Sequence, residues 1–256
     1  MITIKSEKEI ELMQDAAESL KAALRAIEAE VKPGVTTMYL NNVAEKAIRD
    51  TGATPAFMGV PCAYKKGKPF KWAICTSVND EIIHGVPSDD VVLKEGDLLC
   101  VDLGTLKNGW ASDAGRTYGV GDISPVAQKL IKVAKDAFFA GIDQAIPGNR
   151  IGDISNAIQT YVEKNNFSLL REFEGHGIGR EMHEEPGVPN IGQKGKGPRI
   201  EVGMALAIEP MICEGSPDVY VKEDYWTVAT EDGKLTAYYE NTIVITKNGV
   251  KILTLD

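Results

Sequence analysis

The sequence predicts an α+β protein with a mostly antiparallel sheet, and three observations carry that prediction. Apolar residues recur at helical spacing in two pairs of segments, one pair before residue 51 and one between residues 125 and 165. Between and after them lie short runs rich in β-branched and aromatic residues, bounded by turn formers. Two of these runs flank Asn108-Gly109, the dipeptide of a two-residue hairpin, which pairs its strands antiparallel. Helices in blocks and strands in hairpins set this chain apart from the regular alternation of a doubly wound fold.

In chain order, Ser6 and Glu9 form an S-x-x-E capping box, and Ile10, Met13, Ala17, Leu20, Leu24 and Ile27 then mark one helical face until Lys32-Pro33-Gly34. A second helix is predicted from Thr37 to about Asp50 with Gly52 as its terminator, a third from about Pro125 to Ala145, and a fourth from Ile151 to Asn165. Strands are predicted over Trp72–Ser77, Asp97–Asp102, Trp110–Val120, Met204–Pro210, Tyr225–Thr230 and Tyr238–Thr246. No low-complexity tract, linker or short-period repeat interrupts them, so residues 1–256 are expected to form a single domain.

Hydrophobic residues make up 43% of the chain and charged residues 25%, the balance of a soluble globular protein. No apolar run approaches the roughly 18 residues needed to span a bilayer. Residues Met1 to Met13 carry charges where a signal peptide needs its apolar segment. Cys62, Cys75, Cys100 and Cys213 form no C-x-x-C pair, which fits a reducing compartment better than a disulfide framework. A cytoplasmic protein is therefore expected, and its net charge of −9 argues against general nucleic-acid binding.

The first chemical signal is LLCVDLGTLKNGWASDAG. With Asn108-Gly109 at the turn centre, Asp102 faces Gly115 and Asp113 points to the same side as Asp102. Two aspartates at random are more often a turn cap and a solvated residue, but Asp102 sits between Val101 and Leu103. An ionised carboxylate in that setting needs a partner, and a like-charged neighbour aggravates the need. Glu209 at the end of the apolar run ALAIEPM and Glu240 inside TAYYENTIVIT are each the lone charge of their segment. Each alone could be a strand-end residue with a structural Arg partner. Four such carboxylates and a histidine would match two divalent cations, and the oxygen-rich set favours Mn, Fe, Co or Zn over a closed thiolate site.

Only three histidines occur, two of them in GHGIGREMHEEP. The glycines around His176 permit close backbone approach or positive φ, which suits a histidine pushed into a metal centre, although a turn with a solvated imidazole would read the same way. The stretch lacks the Lys-Ser/Thr of a phosphate loop and opens no helix. His183 is placed as a nearby ligand or hydrogen-bond donor. His84, after two isoleucines and before Gly85, is a core histidine or a third site residue.

TSVNDEIIHGVP, VDLGTLKNGWASDAGRT, GHGIGREMHEEP, AIEPM and YYENTIVIT together resemble, in order and spacing, the signature segments of the methionine aminopeptidases. The resemblance spans nearly the whole chain. It implies the pita-bread (creatinase/aminopeptidase) fold: a curved antiparallel sheet with helices on its outer face, built from two pseudo-symmetric halves around a dinuclear metal site. The 33-residue step from His176 to Glu209 resembles type I, and the absence of a preceding zinc-finger extension resembles bacterial forms. By the same resemblance Asp102, Asp113, His176, Glu209 and Glu240 are metal ligands, with Asp113 and Glu240 bridging. A water held by the metals attacks the carbonyl, Glu209 carries its proton, His183 donates to the carbonyl oxygen, and His84 contacts the scissile amide nitrogen and helps protonate the departing amine. The pocket for the methionine side chain falls to Cys75, Met182 and Trp226, with Phe70 beside them.

The implied activity is removal of the initiator methionine from nascent chains, with a small second residue preferred, by a monomer. A proline-directed peptidase of the same fold would share the ligands but usually carries a further amino-terminal domain. A binding protein that had kept the fold and lost catalysis is expected to have lost ligands, and here all five stand. The chain departs from the family at GVPCAYKKGKPFKWAIC, where Lys65, Lys66, Lys68 and Lys71 crowd a segment that is usually a short turn. The basic loop is solvated or contacts the ribosome, helped by Lys194, Lys196 and Arg199.

Overall fold

Helix α1 (Glu7–Glu28) begins where the capping box places it: Ser6 Oγ accepts the Glu9 N–H, and the Glu9 carboxylate accepts the Ser6 N–H at 2.9 Å in the computed structural model, which describes residues 1–256. Helix α2 (Thr37–Asp50) is capped by the Thr36 hydroxyl, and α3 (Pro125–Ile142) by Ser124. Helix α4 (Ile151–Lys164) starts with the Asp153 carboxylate accepting the Arg150 N–H at 2.8 Å. The apolar stripe of α1 is the one its spacing marks: Met13, Leu20 and Ile27 are fully buried, each contributing about 1.5–3 kcal/mol relative to an exposed position.

The strands in chain order are β1 (Thr54–Pro55), β2 (Cys75–Val78), β3 (Glu81–Ile83), β4 (Leu98–Lys107), β5 (Trp110–Gly119), β6 (Ser168–Leu169), β7 (Gly175–Gly177), β8 (Glu184–Val188), β9 (Ala205–Ile208), β10 (Met211–Cys213), β11 (Val219–Val221), β12 (Val228–Thr230), β13 (Thr236–Tyr238), β14 (Asn241–Thr246) and β15 (Gly249–Ile252). Every pairing is antiparallel. In the first half, β4 pairs with β1, β2 and β5, and α1 and α2 pack Leu20, Leu24, Leu40 and Ile48 against Leu99, Val101 and Leu103. In the second, the order is β15-β14-β9-β7-β8, with α3 and α4 packing Phe138, Ile154 and Ile158 against Leu206, Ile208 and Ile243. Each half is thus a pair of helices on the outside of a sheet. There are also two three-stranded ladders, β13-β10-β6 within the second half and β11-β12-β3, which pairs β12 of the second half with β3 of the first.

Several boundaries differ from expectation: the strand predicted over Trp72–Ser77 is Cys75–Val78, and the one predicted to end at Asp102 runs on to Lys107 through its pairing with β5. Helix α3 stops short of Ala145. Strand β4 starts at Leu98, because the Asp97 carboxylate instead accepts from the Lys94 N–H and from Asn79 Nδ2. Strand β12 starts at Val228, because Tyr225 has φ 64° and Asp224 caps the N–H groups of Trp226 and Thr227. The predicted strand Tyr238–Thr246 is two strands, and Glu240 lies in the break between them rather than inside a ladder.

Candidate metal centre and active site

The Asn108-Gly109 turn has both residues at positive φ (53° and 78°), as a two-residue hairpin of the observed twist requires. Its register pairs Asp102 with Gly115 and Gly104 with Asp113, so both aspartates lie on one face, and both are buried. The hairpin is fastened to β14 by Thr242, whose hydroxyl accepts the Asp113 N–H at 3.0 Å and donates to the Asp113 carbonyl at 2.8 Å.

The two glutamates arise from one feature. Ile208 pairs with Asn241 and Met211 with Tyr238, so Glu209-Pro210 and Tyr239-Glu240 are facing two-residue breaks in one antiparallel ladder. One bond crosses the break, from the Tyr239 N–H to the Pro210 carbonyl at 3.3 Å, and other groups there are satisfied from outside. The Glu240 N–H donates to the Gly115 carbonyl at 3.0 Å, and Asn190 Nδ2 donates to the Glu209 carbonyl at 3.0 Å. Arg116 donates to the Glu240 carbonyl and to Asn241 Oδ1, and its guanidinium lies over the Tyr239 ring at 4.5 Å. Both carboxylates are thereby turned toward the aspartate face.

His176 comes from β7, the strand between β8 and β9. Its flanking glycines serve close approach and not positive φ: a Cβ on Gly175 would collide with the Ala207 carbonyl, and one on Gly177 with the Glu185 carbonyl. His176 Nδ1 donates to the Gly177 carbonyl at 2.8 Å, which leaves Nε2 facing the carboxylates. Nε2 stands 3.7 Å from Asp113 Oδ2 and 3.7 Å from Glu209 Oε1, beyond hydrogen-bonding distance of either.

This donor set fits divalent cations. Asp113, His176 and Glu240 each offer an atom within 4.8 Å of the others. Asp102 Oδ1, Asp113 Oδ1 and Glu240 Oε1 are buried without any hydrogen-bond partner. Burial first, then the neighbouring Asp113 charge, pushes the Asp102 and Glu240 carboxyls far above the usual carboxylate range, and burial raises Glu209 to about 8. Burial opposes charge on His176, yet the adjacent Asp113 and Glu209 carboxylates raise it to about 9. An isolated set of buried acids and one base is costly to ionise, and a cation among them removes the cost.

A cavity of about 150 Å³ opens from this cluster, lined by all five candidate ligands and by His84, His183, Phe70, Cys75, Met182 and Trp226. Every candidate site residue is therefore in one place. His84 has φ 58° and stacks edge-on against Phe173; burial lowers its pKa to about 4, so it is neutral near pH 7. His183 lies with its ring 4.3 Å from that of His176, and burial on that side together with His176 lowers its pKa. Cys75 pairs with Asp102 in the β2–β4 ladder, and Phe70 meets Trp226 edge-on at 5.1 Å. Trp226 Nε1 donates to the Lys68 carbonyl, which ties the lysine-rich loop to the pocket wall while Lys65, Lys66, Lys68 and Lys71 stay exposed. Lys194, Lys196 and Arg199 are exposed too but sit against the start of α4, where the Gly152 N–H donates to the Lys196 carbonyl.

Residues 11–247 match Metallopeptidase family M24. The chain belongs to this family. It is 49% identical over 255 residues to the methionine aminopeptidase of Clostridium perfringens, covering 100% of this chain and 99% of that one, and 42% identical over 254 residues to methionine aminopeptidase 1 of Bacillus subtilis, covering 99% of each. Among solved structures, the methionine aminopeptidase of Thermotoga maritima superposes with a TM-score of 0.95 at 41% identity, over 100% of both chains. The prolidase of Pyrococcus furiosus, at 24% identity and a TM-score of 0.79, shares the fold across 99% of this chain and 65% of its own. The M24 match and these superpositions bear out the expected pita-bread fold, with its curved antiparallel sheet and flanking helices.

In this M24 metallopeptidase the cavity also holds residues that sequence reasoning passed over: Phe57, Val60 and Tyr238. Phe57 follows Pro55-Ala56 with no pattern to mark it. Tyr238 stands two residues before Glu240, so the alternation of a strand puts both on one side, and that signal could have found it. Burial, then the surrounding carboxylates, push the Tyr238 phenol far above its usual range, so it remains a hydrogen-bond donor.

Proposed function

We propose that this M24 protein is a methionine aminopeptidase that removes the initiator methionine from nascent chains. The observation that carries this reading is a cluster of buried, unpartnered carboxylates and one histidine at the end of an apolar cavity lined by Met182, Cys75, Phe70 and Trp226. Asp102, Asp113, His176, Glu209 and Glu240 hold two divalent ions of the Mn, Fe, Co or Zn class. Bound ions of that kind lower the pKa of water and polarise a carbonyl. Polarizable sulfur and aromatic rings suit a thioether side chain in the cavity.

Around a substrate so placed, the free amino terminus lies by Asp102, and a small second residue is preferred. Glu209 accepts the proton of the attacking water and returns it toward the leaving nitrogen. His183, its ring 4.3 Å from that of His176, donates a hydrogen bond to the carbonyl oxygen as charge develops there. His84, neutral and held at φ 58°, contacts the amide nitrogen and helps pass the proton to the departing amine. The protein acts as a single-domain cytoplasmic monomer, and no helix is long and apolar enough to cross a membrane. The exposed lysines at 65, 66, 68 and 71 make an electrostatic contact with the ribosome, which reversing all four to glutamate would abolish in co-sedimentation at low salt.

Methionine release from Met-Ala-Ser and Met-Lys-Ser with each candidate metal, beside an Ala-Pro peptide, tests the reading. Release from Met-Ala-Ser and little from Met-Lys-Ser is expected. Cleavage of the Ala-Pro peptide alone would instead mark a proline-directed peptidase, and inactivity with every metal a binding protein.

A further inference from the structure

One hydroxyl touches both glutamates of the cluster. Tyr238 Oη lies 2.6 Å from Glu240 Oε2 and 3.2 Å from Glu209 Oε2, while Glu240 Oε1 has no partner in the protein. A phenol carries one hydrogen, so on distance it is given to Glu240, with Glu209 as the alternative acceptor. The facing breaks in the β9–β14 and β10–β13 ladder release both glutamate side chains from strand geometry. Tyr238 is the last paired residue before the break on its strand, and its hydroxyl is the fixed point across that opening.

Both the backbone and the ring of Tyr238 are held in place. Thr117 Oγ1 accepts the Tyr238 N–H at 2.8 Å and donates to the Tyr238 carbonyl at 2.9 Å. Tyr238 is 2% exposed, so its χ angles have little room. Gly115, paired with Asp102, leaves the space the ring occupies: a Cβ there would overlap Tyr238 Cδ1 and Cε1. Other cavity-lining aromatics, Phe57, Phe70 and Trp226, bring no hydroxyl to the carboxylates.

We propose that Tyr238 is a positioning residue that fixes Glu209 and Glu240 relative to one another, orienting the free oxygen of Glu240 toward the divalent ions, with Gly115 as the notch that admits its ring. The proposal rests on the reading of the five residues as metal ligands. Hydrogen bonds to metal-bound carboxylates set ligand direction, and their loss typically weakens metal affinity by roughly 10–100-fold.

The experiment is calorimetric titration of Mn(II) into chelator-stripped wild type, Tyr238→Phe and Gly115→Ala, with kcat and KM on Met-Ala-Ser. Phe keeps the ring, so the melting temperature of the stripped Tyr238→Phe protein should match wild type. Its Mn(II) affinity should fall by roughly 10–100-fold, and kcat should fall at saturating metal with KM unchanged. Gly115→Ala should reproduce the affinity loss. Mn(II) affinity and kcat of Tyr238→Phe within twofold of wild type would overturn the proposal, whatever Gly115→Ala does. If wild type proves inactive on peptides, the titration still decides the role of Tyr238, and the failure then belongs to the peptidase reading alone.

Discussion

Gly104 offers a sharp test of where the methionine side chain goes. It sits opposite Asp113 in the β4–β5 ladder, and a Cβ added to it would lie 3.0 Å from Phe57 Cε1, 3.1 Å from Ala56 Cβ, and nearer still to Met182 Cε. Carbon atoms pack best at about 3.5–4.0 Å, so Phe57 and Ala56 must each retreat by roughly half an ångström, and the Met182 methyl by more. Met182 has three rotatable side-chain bonds and gives way cheaply, but Met182 and Phe57 both line the cavity, so the room they take is the substrate's. A one-methylene misfit in a specificity pocket costs about 1–3 kcal/mol, or roughly 10–200-fold. For Gly104→Ala, kcat/KM on Met-Ala-Ser should fall by that factor, while Mn(II) affinity holds because Asp102 and Asp113 are untouched. Adding Met182→Ala should recover part of the loss, since the two changes share one space. Full activity in Gly104→Ala, or no coupling between the two substitutions, would mean that this wall does not meet the side chain.

Three other expectations follow from the same geometry. His176→Ala should lose metal affinity, whereas His183→Ala should bind Mn(II) normally and lose turnover by roughly 10²–10³-fold; equal metal binding by both variants, measured by calorimetry, would refute the division of roles. His84 has φ 58°, a conformation that costs an ordinary L-residue about 1–2 kcal/mol and that Asn tolerates, so urea unfolding should find His84→Asn more stable than His84→Ala, although both are slow enzymes. In stripped protein Glu209 is raised to about 8 from 4.5 and His176 to about 9 from 6.5, so both stabilise the fold below their unfolded pKa values and lose that contribution as pH rises through the folded ones. The melting temperature of chelated protein should therefore fall between about pH 5 and pH 9 relative to metal-loaded protein, and a constant gap across that range would count against this site as the metal centre.

The helices were legible because their signals are local. Ser6 with Glu9, Pro125 at the first turn of α3, and the stripe from Ile10 to Ile27 act within a few residues of one another, and all four helix starts agree with the observed ones. The β4–β5 hairpin was legible for the same reason, since Asn108-Gly109 sets the turn and the turn sets the register that puts Asp102 beside Asp113. Short strands such as β7 and β10 were not, because three residues carry no period and form only when distant strands supply their partners. Tyr225 and Asp97 show the reverse failure: local backbone capping took residues out of strands that their composition favoured.

Glu209 and Glu240 show why the site could be read more surely than the structure around it. Nothing local announces a break at Tyr239-Glu240, which exists because β13 pairs with β10 while β14 pairs with β9. Yet a lone carboxylate in an apolar run is expensive wherever the backbone goes, and that expense is visible in sequence. The cost also orders the site. Three buried carboxylate oxygens lack any protein donor, and the one donor the fold does aim at the glutamates, Tyr238, has a single hydrogen for two acceptors. Arg116, the cation beside the break, gives its donors to the carbonyls of Gly115, Glu240 and Thr254 and to Asn241 Oδ1. Arg116 thus holds the backbone of the break and leaves the carboxylate oxygens free, which is the arrangement that binding of cations requires.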